Sequence, residues 1–328
     1  MVCKLKKFIY GLKQASHQWY HKFHQVITLY GFKANSVDYC VYHKLTRSKY
    51  IFLVLHVDDI LLASSDTGLL HETKRFLTKN FEIKDVGKAS FVLGIQILRS
   101  FSRFGMKDSK LGDTPIVKTD KFSLKQCPNN DLERNEMQKI SYASVVGNLM
   151  YAQVCTCPDI AFVYLSDPGM HHWKAVKHVM CYLRRTKGYM LTYRKSEDLE
   201  IIGYFDSDFV GCQDSKCSTS GYIYMLAGGA ISWKSVKQTL IAPSTMAIKF
   251  VACFKASNHG IWLRNFVTSL RVVDGIERPL KIYCDNNSTV LYSNNNKSST
   301  KSKFINIKFL KVQNKQISIE HIGTSFML

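Results

Sequence analysis

Asp58 and Asp59 stand side by side between two apolar runs, YIFLVLHV and ILLA. Two carboxylates about 4 Å apart repel by roughly 1–4 kcal/mol for effective dielectrics of about 80 to 20. A divalent cation relieves that repulsion, and hard Mg²⁺ prefers carboxylate oxygen. The competing reading is a solvated hairpin turn, where Asp is simply a good turn residue. Three further groups invite a chemical reading. Cys155, Cys157, His171, His172, His178 and Cys181 are zinc-ligand types, but their spacing fits no finger, and His178 and Cys181 suit one turn of an ordinary helix. Ser218, Thr219 and Ser220 have no readable His/Asp partner and read as a turn before a strand. Lys297, Lys301, Lys303 and Lys308 make a basic stretch among Ser and Asn, either a solvated face or a contact for a nucleic-acid backbone.

The elements that must position these residues follow from periodicity. A break at Gly11 precedes a helix running to Leu29, with Trp19, Phe23, Val26 and Ile27 at helical spacing. Residues 50–63 read as buried strand, acidic turn, buried strand, and Leu69–Phe81 as an amphipathic helix. Phe91–Leu98 reads as one strand, and the polar, turn-rich stretch Ser100–Lys139 as a linker. Helices are expected over Ala143–Ala152 and His172–Leu183. Beyond Leu199 come three strands (Ile201–Phe205, Tyr222–Ala227, Ala230–Trp233) and a long helix from Ala247 to about Leu270. Strand Leu280–Cys284, helix Asn287–Ser293 and strand Ile317–His321 complete the order. That order predicts an α/β (α+β) chain ending in a mixed sheet with helices packed on it.

The chain has 328 residues, with 45 Lys and Arg against 25 Asp and Glu, a formal net charge of +20. Such a balance points to a polyanionic partner, most commonly nucleic acid. An apolar share of 46% excludes a disordered chain. The basic start carries too short an apolar stretch for a signal peptide, and the most apolar run meets Asp58 and Asp59 too soon to span a bilayer. Ten Cys with no CxxC pair suit reduced thiols. The expectation is an intracellular chain of the cytoplasm or nucleus, with no membrane association.

The motifs are more specific. HVDDILLA (His56–Ala63) resembles the YVDD palm motif of reverse transcriptases, and YGLKQASHQWY (Tyr10–Tyr20) resembles the GLKQA-x-x-x-W signature of copia-type retrotransposon Pol polyproteins. FVLGIQI (Phe91–Ile97) and YASVVGNLMYAQVCTCPDIAF (Tyr142–Phe162) resemble that family's downstream blocks. GYFDSDFVGCQDSKCSTSGYIYMLAGGAISWKS (Gly203–Ser235) and LKIYCDNNSTVLY (Leu280–Tyr292) resemble its ribonuclease H domain.

The resemblance implies an incomplete reverse-transcriptase palm over residues 1–100, a helical, thumb-like connecting region over 101–195, and a ribonuclease H-like domain over 196–328. It implies two-metal phosphodiester chemistry with Mg²⁺ on an RNA–DNA hybrid or an RNA/DNA template-primer. Asp58 and Asp59 match the paired palm aspartates, and Lys13 and Gln14 fall in the segment near the incoming nucleotide and template. Asp206 matches the first ribonuclease H acid and Asp285 the third, while Lys301 and Lys303 become candidates for hybrid contact.

Departures from the pattern imply a defective copy. The first palm aspartate belongs before YGLKQA, and only nine residues precede Tyr10. His56 replaces the motif tyrosine, and His17 stands where the family usually has Arg, removing a fixed charge. STMAIKFVAC (Ser244–Cys253) matches STMEAEFVAC, so Lys249 occupies the position of the second ribonuclease H acid. An ammonium there repels a cation; alternatively, it swings out to solvent and the ligand is merely missing. The fourth acid is expected just beyond Leu328. The stretches Ser100–Gly105, Phe162–Leu165 and Phe309–Val312 read as shortened.

Overall fold

A computed structural model describes residues 13–46, 48–56, 59–89, 91–92, 95–96, 127–155, 168–186, 193, 199–208, 218–239, 241, 244–271, 276, 279–294 and 316–323. The three stretches read as shortened lie outside the described residues, as do Asp58, Lys301 and Lys303. The chain divides into two compact units, Met1–Ser90 with Asn265–Val272, and Phe91–Arg264 with Val273–Leu328. Among the described residues no helix is long and apolar enough to cross a membrane.

The first unit packs α1 (Lys13–Leu29) and α2 (Thr67–Asn80) with an antiparallel sheet of order β1–β2–β3–β4. The strands are β1 (Lys33–Ala34), β2 (Val41–Thr46), β3 (Lys49–His56) and β4 (Asp59–Ser64). Phe23 and Ile27, four residues apart on α1, meet Tyr42, Ile51 and Leu53 of the sheet and Leu77 of α2 in one buried cluster. The Asp66 side chain caps α2 by accepting from the Leu69 N–H at 2.8 Å. β3 and β4 pair antiparallel with His56 opposite Asp59, the hairpin that the two apolar runs of residues 50–63 predict. The short β1 and the strand β2 were not expected from the sequence.

In the second unit, the expected single strand over Phe91–Leu98 is instead two short ones, β5 (Phe91–Val92) and β6 (Ile95–Gln96), paired antiparallel. Between them lies Leu93–Gly94, and a glycine inside an apolar run weakens a continuous strand. The stretch read as a linker contains α3 (Asp131–Gln138). Its start is a reciprocal cap, in which Asn130 Oδ1 accepts from the Glu133 N–H while Glu133 Oε2 accepts from the Asn129 N–H. α3 shares a core with α4 (Tyr142–Cys155) and α5 (Met170–Thr186) through Met137, Tyr142, Val146, Leu149, Val176 and Val179.

A five-stranded sheet of order β11–β10–β7–β8–β9 completes this unit. β7 (Ile201–Asp208), β8 (Thr219–Leu226) and β9 (Gly229–Lys237) form an antiparallel meander. After α6 (Thr245–Ser269), β10 (Leu280–Cys284) returns parallel to β7, and after α7 (Asn287–Asn294), β11 (Ile317–His321) pairs parallel to β10. Thr219 and Ser220 lie within β8, not in a turn before it, with Ser220 buried against the Gln238 amide. The strand starts earlier than its apolar run because Thr219 and Ser220 continue the ladder with β7, opposite Asp208 and Ser207.

Candidate functional site

β7 and β10 are adjacent parallel strands with Tyr204 opposite Tyr283, and the two rings stack at 5.5 Å. Two residues further along lie Asp206, within β7, and Asp285, directly after the end of β10. Matched steps along parallel strands bring both carboxylates to the same end of the sheet. The first turns of α6 deliver Lys249 to that end. Its Nζ lies 2.9 Å from Asp206 Oδ1 and donates to Asp285 Oδ1 as well. The three residues that the motif comparison singled out in this half of the chain therefore meet in one cluster.

Burial within the cluster is uneven. The side chains of Lys249 and Asp285 are 13% and 15% exposed, whereas that of Asp206 is 56% exposed. Asp206 Oδ1 also accepts from the Ser207 N–H at 2.6 Å. Burial pulls the Lys249 pKa down, but the hydrogen bonds that it donates to Asp285 and Asp206 and their negative charges outweigh it and hold the ammonium above its ordinary value of 10.5. Lys249 is thus a protonated cation throughout the neutral range. Its stem is not turned to solvent.

This arrangement does not fit a divalent cation. Asp206 Oδ1 and Asp285 Oδ1 already share one ammonium, and a metal entering beside it would meet like charge at hydrogen-bond distance. Among the described residues no group of three or more His, Cys, Asp or Glu side chains is placed to hold a metal.

A family profile for reverse transcriptase (RNA-dependent DNA polymerase) matches residues 1–127. The chain is 37% identical over 333 residues to the retrovirus-related Pol polyprotein from transposon TNT 1-94 of Nicotiana tabacum, covering 94% of this chain and 25% of that one. It is 30% identical over 349 residues to the Pol polyprotein from transposon RE1 of Arabidopsis thaliana, covering 98% and 23%. This chain belongs to the copia-type retrotransposon Pol polyproteins. It spans about a quarter of the length of these relatives. A ribonuclease H1 isolated from compost shares 14% identity over 38% of this chain and 86% of that one, with a TM-score of 0.28. A foamy viral protease-reverse transcriptase in complex with dsDNA shares 11% over 61% and 42%, with a TM-score of 0.34.

In this copia-type chain the palm candidates are placed less completely. Asp59 is exposed as the first residue of β4. Lys13 and Gln14 open α1. Of the zinc-type residues, Cys157 lies outside the described residues, and His172 is buried, its Nδ1 accepting from the Gly169 N–H at 2.9 Å just before α5, so it serves the helix start. One contributor to the Lys249 cluster escaped the sequence reading. Cys284 is buried at the end of β10 beside Asp285, its thiol pushed up to about 11 chiefly by burial. The alternation of LKIYC, with Leu280, Ile282 and Cys284 turned inward, is the signal that marks it as floor and not ligand.

Proposed function

We propose that this chain is a retrotransposon Pol segment that holds nucleic acid without cutting it. It comprises a reverse transcriptase-like palm segment over residues 1–100, a helical connection over 101–195 and a ribonuclease H-like segment over 196–328. The observation that carries the reading is the Lys249 ammonium bonded to both Asp206 and Asp285. Two-metal hydrolysis of a phosphodiester needs carboxylates free to hold Mg²⁺ against the attacking and leaving oxygens. Here those carboxylates face an ammonium whose raised pKa also bars it from acting as a general base near neutrality. The polymerase half rests on Asp58 and Asp59, matching the family's paired palm aspartates, with Mg²⁺ as their cofactor class. The net charge of +20 supports an RNA–DNA hybrid or template-primer as partner.

The test is cleavage of the RNA strand of a hybrid by purified chain with Mg²⁺ or Mn²⁺. The expected result is an intact strand, and a melting temperature that added Mg²⁺ leaves unchanged. In Lys249→Glu the same addition raises the melting temperature, because a third carboxylate replaces the ammonium. Hybrid cleavage by the unaltered chain that disappears in Asp206→Asn would overturn the reading.

A further inference from the structure

We propose that His17 and His21 form a chelating site for a first-row divalent transition metal on the exposed face of α1. The two residues lie four apart on a helix, so they sit one above the other on the same face. Both are exposed, and their ring centroids are 4.4 Å apart at an interplanar angle of 75°. Two imidazoles sharing one ion through nitrogens at about 2.0–2.1 Å place their centroids about 4.5–5 Å apart, so only ring rotation is needed to close the site. Helical backbone fixes the spacing in advance, and little ordering remains to oppose binding.

The neighbourhood selects the class of metal. No acidic residue occurs anywhere in α1. Lys22 follows His21 directly. A cationic, all-nitrogen site repels weakly held hard ions and retains those with high imidazole affinity, in the order Cu²⁺, Ni²⁺, Zn²⁺ and Co²⁺ by general preference, with Mg²⁺ excluded. His24, one turn beyond His21, is engaged elsewhere: its Nδ1 shares a hydrogen bond with Tyr42 Oη at 3.0 Å, and its ring stacks 6.0 Å from Tyr20. The site is therefore a two-histidine clip, completed by water. It is distinct in chemistry from the carboxylate centres, and it uses a position where the family pattern carries Arg. The proposed function and this site fail independently, since one concerns Lys249 and the other α1.

The test is Ni²⁺ binding to the full chain by titration calorimetry, with far-UV circular dichroism confirming that each variant is folded. His17→Gln and His21→Gln are each expected to weaken the tightest site by at least about tenfold, and His24→Gln to leave it unchanged. Combining His21→Gln with Lys22→His keeps the number of imidazoles but moves one to the wrong face, and binding should stay weak. Undiminished affinity in the His17→Gln, His21→Gln double variant would overturn the proposal. So would recovery in the relocated-histidine variant, loss on His24→Gln alone, or no Ni²⁺ uptake by the native chain.

Discussion

Lys249 is a residue whose identity was readable and whose pose was not. The likeness of STMAIKFVAC to STMEAEFVAC implies an ammonium at an acid's position, but a four-carbon stem can point inward or outward, and no local pattern decides between them. What decides is the pair of carboxylates brought up by β7 and β10, elements more than 30 residues apart in the chain on either side of it. Removing the ammonium in Lys249→Met leaves Asp285, 15% exposed, without its cationic partner. Hydrogen bonds to charged groups are worth about 1.5–3 kcal/mol, so a loss of about 2 kcal/mol is expected in urea denaturation at pH 7. Because the folded pKa of Lys249 lies above its unfolded value of 10.5, this contribution is complete below 10.5 and is lost as pH rises through the folded pKa. The gap in stability between native chain and Lys249→Met should therefore hold steady from pH 7 to 9 and shrink above about 10.5. A gap that widens in alkali would show that Lys249 is not the charged partner.

At the scale of elements, glycines test the packing with opposite signs. Gly260 lies within α6, and a Cβ there would overlap Leu280 of β10 and the hydroxyl of Tyr224. Tyr224 is itself fully buried and donates to the Ala256 carbonyl at 2.7 Å, so it has nowhere to retreat. Helix propensity alone favours Ala over Gly by about 1 kcal/mol, but overpacking a tight core costs about 1–3 kcal/mol. Gly260→Ala should thus destabilise the chain. Gly147, in α4, has nothing within 4 Å of its built Cβ, and Gly147→Ala should stabilise by up to about 1 kcal/mol in the same denaturation assay. Strands with clean inward alternation, such as β10 and β11, were legible to the residue, since LKIYC buries Leu280, Ile282 and Cys284 and ISIEH buries Ile317 and Ile319. α3 was not, because DLERNEMQ buries only Met137 and its apolar signal is faint. Its Asn130–Glu133 cap was the available cue. β2 was hidden by VYHKLT, whose first three residues, Val41, Tyr42 and His43, are all buried and break the alternation.

Over the whole molecule, the excess of 45 basic over 25 acidic residues acts at longer range than any cluster. Its consequence is separable from the Asp206–Lys249–Asp285 site, because phosphate contacts work through counterion release and need no bound metal. If about four phosphates are neutralised, the logarithm of the affinity for duplex falls with the logarithm of salt at a slope of about −3.6, and raising salt from about 50 to 200 mM weakens binding by about a hundredfold or more. Hybrid binding followed by fluorescence anisotropy in monovalent salt should show that slope without any Mg²⁺, and the slope should be the same in Asp206→Asn. In Lys249→Met it should change by less than one phosphate contact, because that ammonium is spent on two internal carboxylates. A slope near zero would mean that the basic surface only aids solubility. A slope that collapses with Lys249→Met would mean that this lysine faces the nucleic acid, against its 13% exposure.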